Sequence, residues 1–369
     1  MKLLNLIVFI LVIGAPFKTC GLELSASRAV LFEPVSGRVL FEKNKDEKCG
    51  MASTTKIITA ITALEHGNLN DVVTVSKKAA DVEGSSIWLG QSEKQTLENL
   101  LYGLMLSSGN DAAIAIAEHI SGSTDKFALL MNETAKRAGA DNSSFKNPNG
   151  LDEEGHFTTA HDLAKITAYA MKNEKFREIV SAKTKTIPWE GHPWNRTLKN
   201  HNKLLNMYDG ADGVKTGFTK KCGRCLVSSA QREGIRLIAV TLNAPNDWND
   251  HIKMLDYGFS VLESKCIFRS GDMVQRAYVK NGEKNSVDAV VKHGVDLPIL
   301  LNDTIETKVK LKSEIVAPLQ KGEVLGYAEI MLNESKISEV ELIAADDVDL
   351  LYIPTILDNF KLMIKGIFT

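Results

Sequence analysis

Ser53-Thr54-Thr55-Lys56 stands at the mouth of an apolar run, Ile57-Ile58-Thr59-Ala60-Ile61-Thr62-Ala63-Leu64. The run has helical composition, and a helix there brings Ser53 and Lys56 onto one face of its first turn. A serine hydroxyl is a poor nucleophile until a neighbour takes its proton. A lysine can take it once burial or a nearby cation lowers the lysine pKa. A four-position pattern recurs by chance, so its meaning depends on what surrounds it.

Upstream, residues 28–33 and 38–42 read as two strands joined by Pro34-Val35-Ser36-Gly37, which has turn chemistry. This hairpin leads into the Ser53 segment. Downstream, His66-Gly67-Asn68 stops the helix, and a strand and loop run on to Ser85-Ser86. Leu97, Leu100, Leu101, Leu104 and Met105 mark one helical face, and that helix ends at Ser107-Ser108-Gly109-Asn110. The next helix, with Ala112, Ala113, Ile114, Ala115, Ile116 and Ala117, is apolar nearly all round and is expected to be buried. A third, amphipathic helix covers about residues 126–138.

Asn147-Pro148-Asn149-Gly150 is a turn cluster. Thr159 reads as the N-cap of a further helix, with Asp162 as the acid of a capping box. His156 and His161 flank its start; with no third ligand nearby they read as surface or capping residues. From Gly213 the pattern turns to strands at about 213–219, 224–230 and 236–242, followed by a closing helix over 247–262. The fold expected is α+β: a helical cluster on an antiparallel sheet built from both ends of the segment. Beyond Lys265 come short alternating runs split by turns, with a hairpin signal at Asn281-Gly282, which predict a separate small all-β domain.

A chain of 369 residues suggests two domains. The 44% hydrophobic and 24% charged content is that of a globular protein, and a net charge of -2 without a dense Lys/Arg patch gives no argument for nucleic-acid binding. Met1-Lys2 followed by the apolar residues 3–13 and the small Gly14-Ala15 reads as a signal peptide; the run is shorter than the ~20 residues of a spanning helix. Cleavage is placed between Ala15 and Gly21, and Lys18-Thr19 before Cys20 is a poor lipid-attachment box. Export puts Cys49, Cys222, Cys225 and Cys266 outside the cytoplasm, too few for a disulfide framework. Cys222-Gly223-Arg224-Cys225 lacks the second pair of a metal site and reads as small, half-buried residues on a strand or hairpin. The last stretch puts Ile356, Leu357, Phe360, Met363, Ile364, Ile367 and Phe368 on one face and is expected to lie in a membrane surface. The divisions are therefore 1–21 signal, 22–264 catalytic domain, 265–348 β-rich domain and 349–369 amphipathic tail.

Three polar motifs follow one another in the catalytic region: Ser53-Thr54-Thr55-Lys56, Ser108-Gly109-Asn110 and Lys215-Thr216-Gly217. S-x-x-K, S-D-N and K-T-G are the signature set of class A β-lactamases and penicillin-binding proteins. With Asn149-Gly150-Leu151 and Asn200-His201-Asn202 in support, the chain resembles the serine-type D-Ala-D-Ala carboxypeptidases, the low-molecular-mass penicillin-binding proteins, from about Ser25 to its C-terminus.

That resemblance implies a penicillin-binding/β-lactamase-like fold and a Ser53 acyl-enzyme formed on peptidoglycan stem peptides ending in D-Ala-D-Ala. It implies Lys56 as base, Ser108 as proton relay, Asn110 as orienting residue, and Lys215, Thr216, Gly217 and Phe218 as substrate-binding residues. The oxyanion hole would be the backbone N–H groups of Ser53 and Phe218. β-Lactams would be inhibitors, the tail would meet the outer face of the cytoplasmic membrane, and neither a metal nor an organic cofactor is called for. Two departures stand out. Phe218 occupies a position where some relatives carry His, and Gly109 replaces the Asp of S-D-N. No E-x-x-L-N segment lies between Ser108 and Lys215, which argues against a class A β-lactamase. A D,D-endopeptidase, a weak β-lactamase and a catalytically idle β-lactam- or peptidoglycan-binding protein remain the alternatives.

Overall fold

The structure is a computed structural model that describes residues 21–352. The stretch expected to be a signal peptide, except Gly21, and most of the stretch expected to be an amphipathic tail lie outside the described residues.

The chain opens with β1 (Arg28–Glu33) and β2 (Arg38–Lys43), paired antiparallel as the hairpin signal predicts. A 3-10 turn at Ala52–Thr55 then leads into α1 (Lys56–His66). Next come β3 (Val72–Thr74), α2 (Lys77–Ala80), β4 (Lys94–Thr96), α3 (Leu97–Leu106), α4 (Asn110–Ser121) and α5 (Thr124–Arg137). These are followed by α6 (Ala160–Ala170), α7 (Glu174–Ser181), β5 (Thr184–Ile187), β6 (Arg196–Lys199) and α8 (Leu204–Met207). Three long strands, β7 (Ala211–Thr219), β8 (Gly223–Arg232) and β9 (Ile235–Leu242), precede α9 (Asp247–Val261).

The central antiparallel sheet runs β2-β1-β9-β8-β7, so strands from both ends of the segment meet at the β1–β9 pair. Its two faces follow the strand period of two. Val30 and Phe32 of β1 join the core with the helices, while Ala29 and Leu31 pack into a second core with α9 residues Met254 and Leu255. Helix α1 meets water only at its C-terminal end: Lys56 through Ala63 are all buried, and Glu65 and His66 are exposed.

The side-chain caps are local and legible. Thr96, Ser123 and Thr159 accept from the backbone N–H groups of Asn99, Lys126 and Asp162. The capping box at α6 is only half made. The Asp162 carboxylate turns away to the Asn142 N–H at 2.7 Å and the Ser143 hydroxyl at 2.8 Å, tying the preceding loop down.

Beyond α9 lie β10 (Glu263–Phe268), β11 (Met273–Tyr278), β12 (Ser286–Val291), β13 (Val295–Ile299), β14 (Ile305–Leu311), β15 (Val324–Leu332) and β16 (Ser335–Ala344). A five-stranded sheet, β11-β12-β16-β15-β14, and the β10–β13 pair form this all-β domain. The boundary expected at Lys265 falls inside β10, whose Lys265 pairs with Leu297. Composition cannot register a strand that is exposed along most of its length, as β10 is. A bidentate ion pair from Arg38 on β2 to Asp303 after β13, at 2.8 and 3.0 Å, ties the β domain to the central sheet.

Candidate active site

The site forms where the 3-10 turn, the α3–α4 junction, the Asn147–Gly150 loop and edge strand β7 converge. Ala52 and Ser108 both hold left-handed backbone, φ 48° and 62°, conformations that cost non-glycine residues on the order of 1–2 kcal/mol each. Both sit where the chain turns sharply to present a hydroxyl. Gly217 is required by close approach: a Cβ there would stand 3.0 Å from the Ser53 nitrogen and 3.1 Å from the Thr54 nitrogen. β7 is the last strand of its sheet, so its unpaired edge is free to lie against the turn. Gly150 is equally constrained, with φ 86° and Ala52 O 2.1 Å from any Cβ.

Lys56 is fully buried, and its Nζ meets three oxygens: Asn149 O at 2.5 Å, Asn110 Oδ1 at 2.7 Å and Ser53 Oγ at 3.0 Å. Burial drives its pKa well below the ordinary value, the positive charge of Lys215 drives it the same way, and Asp111 opposes them. A neutral amine has two N–H donors and one lone pair. In that form, with its N–H groups given to Asn110 and Asn149, Lys56 would keep its lone pair for the Ser53 hydroxyl hydrogen.

Asn110 is itself fixed, its Nδ2 donating to Glu83 O at 2.7 Å. The buried Asp111 next to it caps the loop opposite, accepting from Ser86 Oγ at 2.6 Å and from the N–H groups of Ile87 and Leu89 at 3.0 and 3.1 Å. Lys215 Nζ donates to Ser108 Oγ at 3.1 Å and to Thr216 O at 2.9 Å, and burial brings its pKa down to about 7.

Ser53, Ser108, Thr216, Gly217 and Phe218 open onto one cleft of about 360 Å³ that also touches Ser85, His201, Lys203, Arg224, Asp247 and Trp248. All eight residues expected from the motifs therefore converge: five line the cleft, Lys215 is buried against Ser108, and Lys56 and Asn110 lie buried behind Ser53. Phe218 is largely exposed, its ring outside the polar floor. The far wall is an addition: Arg224 on β8 donates to Asp247 at the start of α9 at 2.9 Å, beside Trp248.

Two further contributors have no side-chain signal in the sequence. Asn149 acts through its carbonyl, which any residue could supply. His156, expected at the surface or in a cap, is buried. Its Nδ1 accepts from the Lys146 N–H at 3.0 Å, leaving Nε2–H for Thr55 Oγ1 at 2.9 Å, inside the nucleophile's own turn. His161 is half-buried and pairs with Asp46 at 3.2 Å. Cys222 and Cys225 are buried rather than half-buried, and both are free thiols, as are Cys49 and Cys266. Among the described residues, no group of three His, Cys, Asp or Glu side chains could hold a metal ion.

A serine paired to a buried lysine whose pKa is driven down, with a second lysine on an edge strand opposite, defines a serine acyl-transfer site on an α+β scaffold. The chain belongs to the family described as D-alanyl-D-alanine carboxypeptidase, whose model matches residues 15–246. A model for the penicillin-binding protein 5 C-terminal domain matches residues 262–350. The D-alanyl-D-alanine carboxypeptidase DacF of Bacillus subtilis (strain 168) is 35% identical over 348 residues, 90% of this chain and 88% of that protein. Penicillin binding protein 5 from Haemophilus influenzae superposes with a TM-score of 0.67 at 29% identity, covering 89% of this chain and 98% of its own. A peptidoglycan synthesis regulatory factor (PBP3) from Streptococcus pneumoniae superposes with a TM-score of 0.76 at 26% identity, covering 89% and 100%.

Proposed function

We propose that this protein is a D-alanyl-D-alanine carboxypeptidase that removes the terminal D-alanine from peptidoglycan stem pentapeptides through a Ser53 acyl-enzyme. The observation that carries the reading is the fully buried Lys56 Nζ, 3.0 Å from Ser53 Oγ and fixed by Asn110 Oδ1 and the Asn149 carbonyl, with its pKa driven down by burial and by Lys215. The Ser53 proton passes to Lys56 Nζ as Oγ attacks the carbonyl of the penultimate D-alanine. The developing oxyanion is met by the backbone N–H groups of Ser53 and Phe218. Ser108, bonded to Lys215, relays a proton to the leaving D-alanine amine. Lys215 and Thr216 receive its carboxylate. A water activated by Lys56 then hydrolyses the ester and frees the shortened peptide.

A carboxylate placed beside Lys215 favours the ammonium form, so substrate binding itself charges a lysine that burial holds near neutrality. β-Lactams acylate the same serine and leave slowly, since the chain has no E-x-x-L-N glutamate to activate a deacylating water. In this reading the catalytic unit ends with α9, the β-rich domain begins with β10, and the protein is exported to the outer face of the cytoplasmic membrane, which its tail contacts. No helix among the described residues is long and apolar enough to cross a membrane. The deciding assay follows D-alanine release from a peptide ending in D-Ala-D-Ala. Wild type releases it and Ser53→Ala does not; an inert wild type would refute the reading, and rapid turnover of penicillin would replace it with a β-lactamase.

A further inference from the structure

The chain has four tryptophans, Trp88, Trp189, Trp194 and Trp248, and all of them lie along one path across the surface. Trp248 lines the catalytic cleft. Ser85 and His201 line both that cleft and an adjoining groove, which continues along Trp88, Arg196 and Lys199. Trp88 is shared in turn with a third depression that holds Trp189 and His192. Beyond it the Trp194 ring meets His192 at a tilt, centroids 5.4 Å apart, as His192 meets Trp189 at 4.4 Å.

These rings are both exposed and held. Trp88 is 75% and Trp194 59% exposed, an unusual placement for the largest apolar side chains. A buried post lies under the Trp88 backbone and the Trp189 ring. Arg196 is 5% exposed, donates to Glu93 Oε1 and Oε2 at 2.9 and 3.2 Å, and donates to the Trp88 carbonyl at 2.9 Å. Its guanidinium lies 4.7 Å from the centre of the Trp189 ring. The β3–β4 and β5–β6 hairpins that carry the rings are laced together by Gln95 Nε2 donating to Pro188 O at 2.8 Å and by the Lys94 N–H donating to Glu190 Oε2 at 2.6 Å. Nothing in the acylation chemistry uses this assembly.

We propose that the groove running from His201 past Trp88 to Trp194 binds the glycan strand of the peptidoglycan to which the stem peptide is attached. This rests on the carboxypeptidase reading and adds a second half to the substrate. A pyranose ring presents a face of C–H bonds with partial positive charge, ringed by hydroxyl and amide groups. The negative π-face of a tryptophan meets the first, and Lys199, Gln91 and Glu190 around the rings meet the second. The connection to the cleft gives the geometry its sense: the first four residues of the stem, extended at ~3.4 Å per residue, separate the scissile bond from the sugar by roughly 14 Å. A membrane surface fits less well, because the rings are set among Glu93, Glu190 and Gln91 rather than among aliphatic residues.

The test titrates the purified protein and its Ser53→Ala variant with chitotetraose, a peptide-free N-acetylglucosamine oligomer, by tryptophan fluorescence and calorimetry. Both are expected to bind. Trp88→Ala and Trp194→Ala weaken binding by about tenfold or more, the scale of one lost stacking contact, and Trp88→Phe restores most of it. Penicillin acylation of Ser53 stays within about twofold in all three variants, because the rings lie outside the cleft. KM for a glycan-linked pentapeptide rises with the binding loss at unchanged kcat, while the free pentapeptide is unaffected. The proposal is overturned if wild type does not bind the oligomer at millimolar concentration. It is equally overturned if the variants slow penicillin acylation in parallel, or lose sedimentation with anionic vesicles while keeping the sugar. Failure to release D-alanine from either substrate would instead remove the carboxypeptidase reading and leave the titration of Ser53→Ala standing.

Discussion

Replacing Asn110 by aspartate changes one atom and reverses the electrostatics of the base. Asn110 Oδ1 lies 2.7 Å from Lys56 Nζ in a fully buried setting. A neutral amide there accepts an N–H and leaves the amine uncharged. A carboxylate at the same distance forms a charge-assisted pair and favours the ammonium form. Lys56 then carries the proton it is meant to accept. A positioned general base is worth roughly 10²–10⁴ in rate, and that is the loss expected for acylation by a fluorescent penicillin at neutral pH. Raising the pH strips the extra proton, so the rate recovers towards wild type on the alkaline side.

Asn110→Ala separates this effect from structural damage. It removes the bonds to both Lys56 and Glu83, and a buried group left without its partner costs about 1–3 kcal/mol. Aspartate keeps the contact to Lys56 but loses the donor to Glu83 and sets a carboxylate oxygen against that carbonyl, so both variants lower Tm, whereas only aspartate brings the added pH dependence. Should Asn110→Asp acylate within about fivefold of wild type at neutral pH, or lose activity that alkali does not restore, Lys56 does not act as the neutral base inferred from its cradle.

Other consequences follow from named contacts. Lys215→Ala removes one of the two influences that depress the Lys56 pKa, so the acid limb of the acylation profile moves to higher pH and KM for carboxylate-bearing peptides rises; an unmoved limb would disconnect the two lysines. Burial lowers the His156 pKa from 6.5 to about 4. Below pH 6.5 the unfolded chain binds the extra proton first, so unfolding free energy is lost as pH falls from 6.5 through about 4, by roughly 3 kcal/mol from this residue. Denaturant titrations of His156→Gln should show a flatter slope over that window. Gly217→Ala places a methyl carbon 3.0 Å from the Ser53 nitrogen, and a rate loss of at least about 10² with a modest change in Tm is expected, on the scale of one lost oxyanion donor; near-normal acylation would show that β7 does not need to approach so closely.

How much of this was legible in the chain differs from residue to residue. The hairpin, helices α3, α5 and α6 and strands β7 to β9 were readable because each has a sequence period that matches its burial. α4 was readable for the opposite reason: a run apolar nearly all round has to be interior. Ser53, Lys56, Ser108 and Lys215 were found by motif because their chemistry resides in side chains. The short hairpins β3–β4 and β5–β6 were not, since three- and four-residue strands carry too few alternations to register.

The sequence by itself determined the residue types, their order and the apolar periods, and these were enough for an α+β domain with a serine–lysine site, followed by a β-rich domain. Only the tertiary structure decided that Lys56 is dry, that the Asn149 carbonyl completes its cradle and that His156 pins the nucleophile's turn from behind. It also decided where the tryptophans stand, and that an aspartate three residues after an N-cap serves a different loop. These are outcomes of distance and burial between segments tens to more than a hundred residues apart. A lysine pKa, a backbone acceptor and a shared groove have no local signature, because each is made by what the fold brings beside it. Ser53 and Lys56 are neighbours in any helix. It took β7, more than 150 residues downstream, to set the second lysine beside the first and hold Lys56 ready to take the Ser53 proton.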